Sequence, residues 1–291
     1  MTPQDVVNTV WDLLGRPDDI SPDSTLWVDV LNAAQNRIAT WKDPTTGFPV
    51  ELFELIDSAN VAVGPIEFTS RDTADGFPDR VRVGNAAGGT TIGSFKNHLI
   101  DIENNTRTIM SVEPDGTTHS IVYLNRELPA PIEELNENAS VPVVVYGRGF
   151  AMPSGAIDIY NVENTTERYR LAIGSNRASF VELSEVVGRP VKWYILGRNI
   201  WFDSAPGVKT WFRVEYFRMP TAITAIPTGS FEIPAIFHEG IVLLAAEWGY
   251  RRYGESNEKY SIKRDFIDFM RSARGEYDRQ YTRHQGKIER R

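Results

Sequence analysis

The apolar side chains of this 291-residue chain change their repeat twice, and that change limits the folds open to it more than any single motif. Up to residue 57 they recur every three or four residues. From about 61 to 219 they alternate, and from 234 the helical spacing returns. One regular element cannot carry both periods. The order is therefore helices, a large β region, then helices, which makes the fold class α+β.

At the amino end, Val6, Val10 and Leu13 or Leu14 mark a first helix that Gly15 and Pro17 stop. A second helix starts near Ser24, a good N-cap, and aligns Trp27, Val30, Leu31, Ala34, Ile38 and Trp41 until Asp43-Pro44. Its other face carries Asp29, Asn32, Gln35, Asn36 and Lys42 and is read as polar. Phe48–Ile56 fits a short helix or a strand. At the carboxyl end, Ile236–Trp248 is apolar nearly all round, as in a helix buried at the centre of a bundle or between subunits. A last long helix follows Gly254, with Ile262, Phe266, Phe269 or Met270, Ala273, Tyr277 and Tyr281 on its stripe. Arg283–Arg291 loses the period and is expected to fray or to wait for a partner. Neither end can bury its stripe alone. Residues 1–57 plus 234–291 are thus expected to form one helical bundle, with Trp27, Trp41, Phe237, Ile241, Leu244 and Trp248 as candidate packing residues.

Between the helical ends lie short β-type runs: Val81–Val83, Leu99–Glu103, Thr106–Glu113, Thr117–Leu124, Val141–Tyr146, Ala156–Val162, Arg168–Gly174, Val191–Leu196, Asn199–Asp203 and Lys209–Phe217. Glu113-Pro114-Asp115-Gly116-Thr117 is the strongest hairpin signal, since Pro presets φ and Gly supplies a positive one. Strands at this spacing predict antiparallel sheets, a sandwich by expectation. The Pro- and Glu-rich stretch Leu128–Ser140 reads as a long loop or a linker. The division expected is an inserted β-domain over 58–147 and a β-sheet region over 148–233 adjoining the bundle.

Composition excludes several classes. The 41% hydrophobic and 24% charged fractions are those of a globular chain rather than a disordered one. With no cysteine there is no disulfide, thiolate nucleophile or Cys-ligated metal. No apolar run is long enough to span a membrane, and Met1–Thr9 lacks a signal-peptide pattern. The net charge of −8 is uneven: residues 251–291 hold 12 Lys/Arg against 7 Asp/Glu, whereas 1–250 hold 19 against 32. An acidic body argues against sequence-specific nucleic-acid binding, while a basic terminal segment suits docking on an acidic partner.

No catalytic, cofactor-binding or metal-ligating set is assigned. His98, His119, His238 and His284 have no metal-type spacing; three are read as lying in exposed strands or a tail. His238-Glu239 imitates a catalytic dyad but is better read as a helix start. The glycines of Gly84–Thr91 lack the Lys-Ser/Thr of a phosphate loop. Trp193, Trp201 and Trp211 fit an inward-facing core or a glycan platform. A β-rich carbohydrate- or receptor-binding module is thus the alternative, and a hydrolase would need carboxylates that spacing alone does not reveal.

One ordered set of motifs carries a resemblance. Gly188-Arg189-Pro190-Val191-Lys192-Trp193-Tyr194 precedes a glycine-turn hairpin at Leu196-Gly197-Arg198-Asn199, and the strand Trp211–Phe217 ends in Arg218-Met219-Pro220. Phe231-Glu232-Ile233-Pro234-Ala235-Ile236-Phe237-His238 then opens the apolar helix. With Ala33-Ala34-Gln35-Asn36-Arg37-Ile38 and Trp41 in the opening helix, this order resembles the head–tail adaptor (connector) proteins of tailed bacteriophages, over roughly 1–57 and 166–285. The segment from about Val61 to Tyr160 exceeds that family's core and reads as the β insertion. The resemblance implies a structural virion protein in the neck, assembled in the host cytoplasm, with no enzymatic role. It implies a homo-oligomeric, usually dodecameric, ring docked on the portal protein, which extends the DNA channel. The ring would offer a surface to a tail-side protein (nozzle, hub or stopper), with no membrane contact. By the same resemblance the portal interface falls on the C-terminal segment, with Tyr277, Arg279, Tyr281, Arg283, Arg290 and Arg291 as candidate contacts.

Overall fold

The computed structural model describes residues 1–15, 24–47, 49–72, 79–84, 92, 95–102, 104–116, 119–128, 141–174, 185–226, 228–253 and 256–288. The expected loop or linker Leu128–Ser140 lies outside them from 129 on, and the glycine-rich stretch Gly84–Thr91 from 85 on. The chain divides into two compact units, Met1–Asp57 with Gly155–Asp158 and Tyr216–Arg291, and Ser58–Ser154 with Ile159–Glu215.

The first unit holds the four α-helices of the described residues: α1 Pro3–Leu13, α2 Ser24–Ala39, α3 His238–Tyr253 and α4 Ser256–Ile288. Thr2-Pro3-Gln4-Asp5 starts α1 with a capping box: Thr2 Oγ1 accepts from the Asp5 N–H at 3.2 Å and Asp5 Oδ2 from the Thr2 N–H at 2.7 Å. Tyr250 closes its far end by donating its hydroxyl to the Leu13 carbonyl at 2.8 Å. The all-round apolar sequence of α3 matches its surroundings, because it packs against α1, α2 and α4. Val10, Leu31, Ile38, Phe237, Ile241, Ala245, Phe266 and Met270 share one buried cluster. A Cβ on Gly240 of α3 would stand 3.1–3.4 Å from Phe269, Ile38 and Met270, so glycine there permits the close helix approach. Phe53–Leu55 resolves the ambiguity at 48–56 as one 3-10 turn leading into a strand.

Two expectations for the helices change. Asn32 and Gln35 do not face water. Asn32 exchanges hydrogen bonds with the Ile223 backbone, accepting at 2.7 Å and donating at 3.0 Å, and fully buried Gln35 donates to the Thr221 carbonyl at 3.0 Å. The segment 221–223 crosses that helix face without a ladder of its own, so side-chain amides satisfy its backbone. Of the two expectations for Arg283–Arg291, fraying or waiting for a partner, the first does not hold as far as Ile288, where α4 ends.

Most β structure lies in the second unit. After β1 (Ile56–Val63), six strands close into a barrel: β2 (Pro65–Asp72), β3 (Arg80–Gly84), β4 (Leu99–Ile102), β5 (Asn105–Asp115), β6 (His119–Leu124) and β7 (Val141–Tyr146), in the order β2-β3-β6-β5-β4-β7. All its pairings are antiparallel. This corrects the expected sandwich. Val81, Val83, Ile100, Ile102, Val122, Val143 and Val145 form one alternating inward set. Closing the sheet buries that set and leaves no edge strand, without a second layer. Gly116, with φ +72°, turns β5 into β6 where the hairpin signal stood, and Asp115 pairs with His119.

The remaining strands are β8 (Gly149–Ala151), β9 (Ala156–Asn164), β10 (Tyr169–Arg170), β11 (Ala172–Ile173), β12 (Lys192–Leu196), β13 (Asn199–Phe202) and β14 (Thr210–Arg218). They form the four-stranded sheets β1-β14-β9-β10 and β11-β12-β13-β8, in which β11 and β12 run parallel. Gly149 opens β8 against β13.

Within this unit His98 is buried rather than exposed. Its Nδ1 accepts the Arg148 N–H at 3.0 Å, and its ring lies between Phe95 and Trp201, with centroids 5.3 and 5.2 Å away. Burial first, and the Arg148 charge second, push it down to about 4. Arg148 is only 3% exposed, and its Nε donates to the Phe202 carbonyl at 3.3 Å.

Candidate partner-binding surface

The motif residues at 218–238 converge in the first unit. Arg218 ends β14, and fourteen residues later Glu232 receives it: Oε2 accepts from Arg218 Nη1 and from the Thr221 N–H, both at 2.7 Å. Oε1 accepts the Thr221 hydroxyl at 2.9 Å. The Arg218 guanidinium is the main cause holding the Glu232 carboxyl at about 2. The loop between them is thereby cinched, and Asn32 and Gln35 hold its first residues on α2. His238 makes a 3.0 Å hydrogen bond through Nε2 with the Ile233 carbonyl and stands edge-on to Phe231. Its ring therefore fixes the helix start, while Glu239 is exposed. Spacing alone did not reveal the Arg218–Glu232 pairing; the only signal was that both residues stand in the stretches that carry the resemblance.

The expected packing residues come together. Trp27, Trp41, Phe237, Ile241 and Leu244 belong to the buried cluster of the helices, and Trp248 packs against it half-buried. Trp27 sits edge-on between Trp11 and Trp248, with centroids 5.8 and 5.6 Å away.

Of the expected interface residues only Tyr277 and Arg279 have described side chains, and the two differ. Tyr277 is 5% exposed: it stacks on Phe53 with centroids 6.3 Å apart, meets Phe237, accepts the Phe53 N–H at 3.0 Å and donates to Glu54. It is a core residue here, because the apolar stripe of α4 reaches that far. Arg279 lies just beyond, exposed, with its Nε donating to the Gly275 carbonyl at 2.9 Å. Tyr281 and Arg283 belong to the helical stretch that ends at Ile288, and their side chains lie outside the description, as do residues Arg290 and Arg291 altogether.

The three tryptophans of the late strands separate. Trp193 and Trp201 are buried, whereas Trp211 is 47% exposed with the Lys209 ammonium 5.6 Å from its ring. Among the described residues no three His, Asp or Glu side chains converge as a metal site requires, and no helix is long and apolar enough to cross a membrane.

The family model described as SU10 adaptor protein matches residues 118–291. No curated protein matches the chain. The match takes in the Arg218–Glu232 clamp, α3 and α4. It also begins one residue before β6, so part of the stretch expected as an insertion falls within the matched residues. A match over more than half its length shows that the chain belongs to the SU10 adaptor protein family, and with it to the structural adaptors of phage virions.

Proposed function

We propose that the protein is a head–tail adaptor ring subunit. It docks on the portal, extends the DNA channel and gives tail components their attachment surface, without catalysing a reaction. The helical ends act as one bundle and build the ring through chain copies related by rotation. The barrel over 65–146 acts as a separate inserted domain. Assembly takes place in the host cytoplasm, and the product sits at the neck of the virion.

The observation that carries this reading is the form of α4 within the matched region. Among its described side chains the last buried one is Tyr277, and the helix continues to Ile288. That is an arm of about 16 Å at 1.5 Å per residue. Residues 279–291 bring five Lys/Arg against one Asp/Glu to that arm and its continuation. A basic arm on an acidic chain suits capture of an acidic partner.

The test is the light-scattering mass of the purified chain, alone and mixed with the portal ring of the same phage. A parallel chain ends after Asp278, which keeps Tyr277. The expected result is a saturating shift by a ring of copies, lost in the shortened chain. No shift at any salt concentration overturns the reading and turns attention to the β region as a binding module.

A further inference from the structure

A groove on the first unit, between α2 and α3, has a composition that neither core packing nor the α4 arm explains. Its cavity is about 160 Å³. Ala33 and Ala34 keep one side shallow, and Trp248 forms the other, braced from behind by Trp27. Glu247 lines the groove with a side chain only 5% exposed. Its Oε1 is 2.6 Å from Arg251 Nη2 and its Oε2 is 3.5 Å from Arg37 Nη1. Both arginines stay about half in water, at 54% and 49%, and a third guanidinium, Arg252, lies 5.4 Å from the Trp248 ring. Two guanidiniums on one buried carboxylate, with the third over the adjoining Trp248 ring, leave the rim positive on a chain whose net charge is −8.

The volume falls below the roughly 300–1,000 Å³ of small-molecule sites, so the groove suits one protein side chain. Its wall is apolar and aromatic, which favours an aliphatic side chain. The positive rim favours carboxylates beside it and repels Lys or Arg. The buried Glu247 is not itself the recognition group, since Arg251 already holds it; it fixes the guanidinium facing the rim. We propose that this groove docks an acidic protein segment that presents one leucine-sized side chain flanked by Asp or Glu. The arm of α4 and this groove are separate surfaces, so either can fail without the other.

The test uses the full chain labelled with 5-fluorotryptophan. Its seven tryptophans give separate fluorine resonances, and Trp248→Phe assigns the one that matters. The probe is the capped peptide Asp-Asp-Leu-Glu-Glu, titrated to about 5 mM at low salt, where weak charged contacts are strongest. The expected result is a saturating shift of the Trp248 resonance, with Trp193, Trp201 and Trp211 unmoved. Replacing the peptide's Leu by Gly should weaken binding about tenfold or more. The double change Arg37→Glu with Arg251→Glu should abolish the shift. Because Arg37 also covers the Phe266 ring at 5.6 Å, Ala33→Leu serves as a second variant: it fills the groove from an exposed position, leaves every charge in place, and should abolish the shift too. An unmoved Trp248 at the highest concentration overturns the proposal. So does an equal response to Lys-Lys-Leu-Lys-Lys, or an equal response to inorganic phosphate, which would mark a simple anion site.

Discussion

Glu232 organises more backbone than its position in a loop implies. Its two oxygens meet Arg218 and both polar groups of Thr221, and Thr221 in turn offers its carbonyl to buried Gln35. Removing the charge should therefore loosen the loop rather than one contact. Glu232→Gln is expected to cost about 1 kcal/mol at neutral pH, below the usual worth of a charged hydrogen bond because the pair is partly solvated. The pH dependence gives a sharper test. The carboxyl is held at about 2 in the fold against 4.5 in the unfolded chain, so its contribution is full above pH 4.5 and is lost as the pH falls towards 2. Urea midpoints of the helical signal should differ between the two proteins at pH 7 and converge near pH 1.5, below the folded-state value. A gap that persists there would mean that packing, not charge, causes the loss. Neither Arg218 nor Glu232 reveals its partner in the sequence, because fourteen residues of loop closure decide the pairing. The burial of His98 is hidden for a related reason: a single histidine carries no period, and of the two rings against it Phe95 is a near neighbour while Trp201 comes from far along the chain.

At the scale of elements, α4 was legible in its stripe and misjudged in its end. Phe266, Met270, Ala273 and Tyr277 follow at three- and four-residue steps, and all four are buried. The same spacing that placed the first three in the core also placed Tyr277 there, so its assignment to an interface ran against the pattern. A tyrosine with aromatic neighbours at 5.4 and 6.3 Å and a hydroxyl satisfied on both sides belongs to the fold. A chain ending at Asp278 should keep its thermal midpoint within about 2 °C of the full protein. One ending at Glu276 should lose about 3 kcal/mol, in the range of a deleted buried aromatic side chain. Calorimetry of the two shortened chains separates these outcomes, and equal midpoints would mean that the helix is anchored by Phe266 and Met270 alone.

For the whole molecule, the order of helical and alternating periods is enough to foresee an α+β chain with its β structure in the middle, but not the closure of that β structure. An alternating strand reads the same whether its apolar face meets a second sheet or the inside of a barrel. What distinguishes them is which strands pair at the ends of the series, and here β2 pairs with β7 from Pro65↔Tyr146 to Ser70↔Val141. That pairing also brings the entrance and exit of the barrel together: the Gly147 N–H donates to the Gly64 carbonyl at 3.3 Å. A segment that leaves and returns at one hydrogen bond can be removed without stretching what remains. Joining Gly64 to Gly147 through two glycines, with 65–146 deleted, should leave the helices folded, because their buried cluster draws no residue from the barrel. The deletion uncovers Trp201 where His98 lay against it, so the shortened protein should bind an apolar dye about as the barrel's removal exposes that ring, while its helical circular dichroism still melts in one cooperative step. A helical signal that disappears, or that fades without a transition, would show instead that the barrel is required for the first unit to fold.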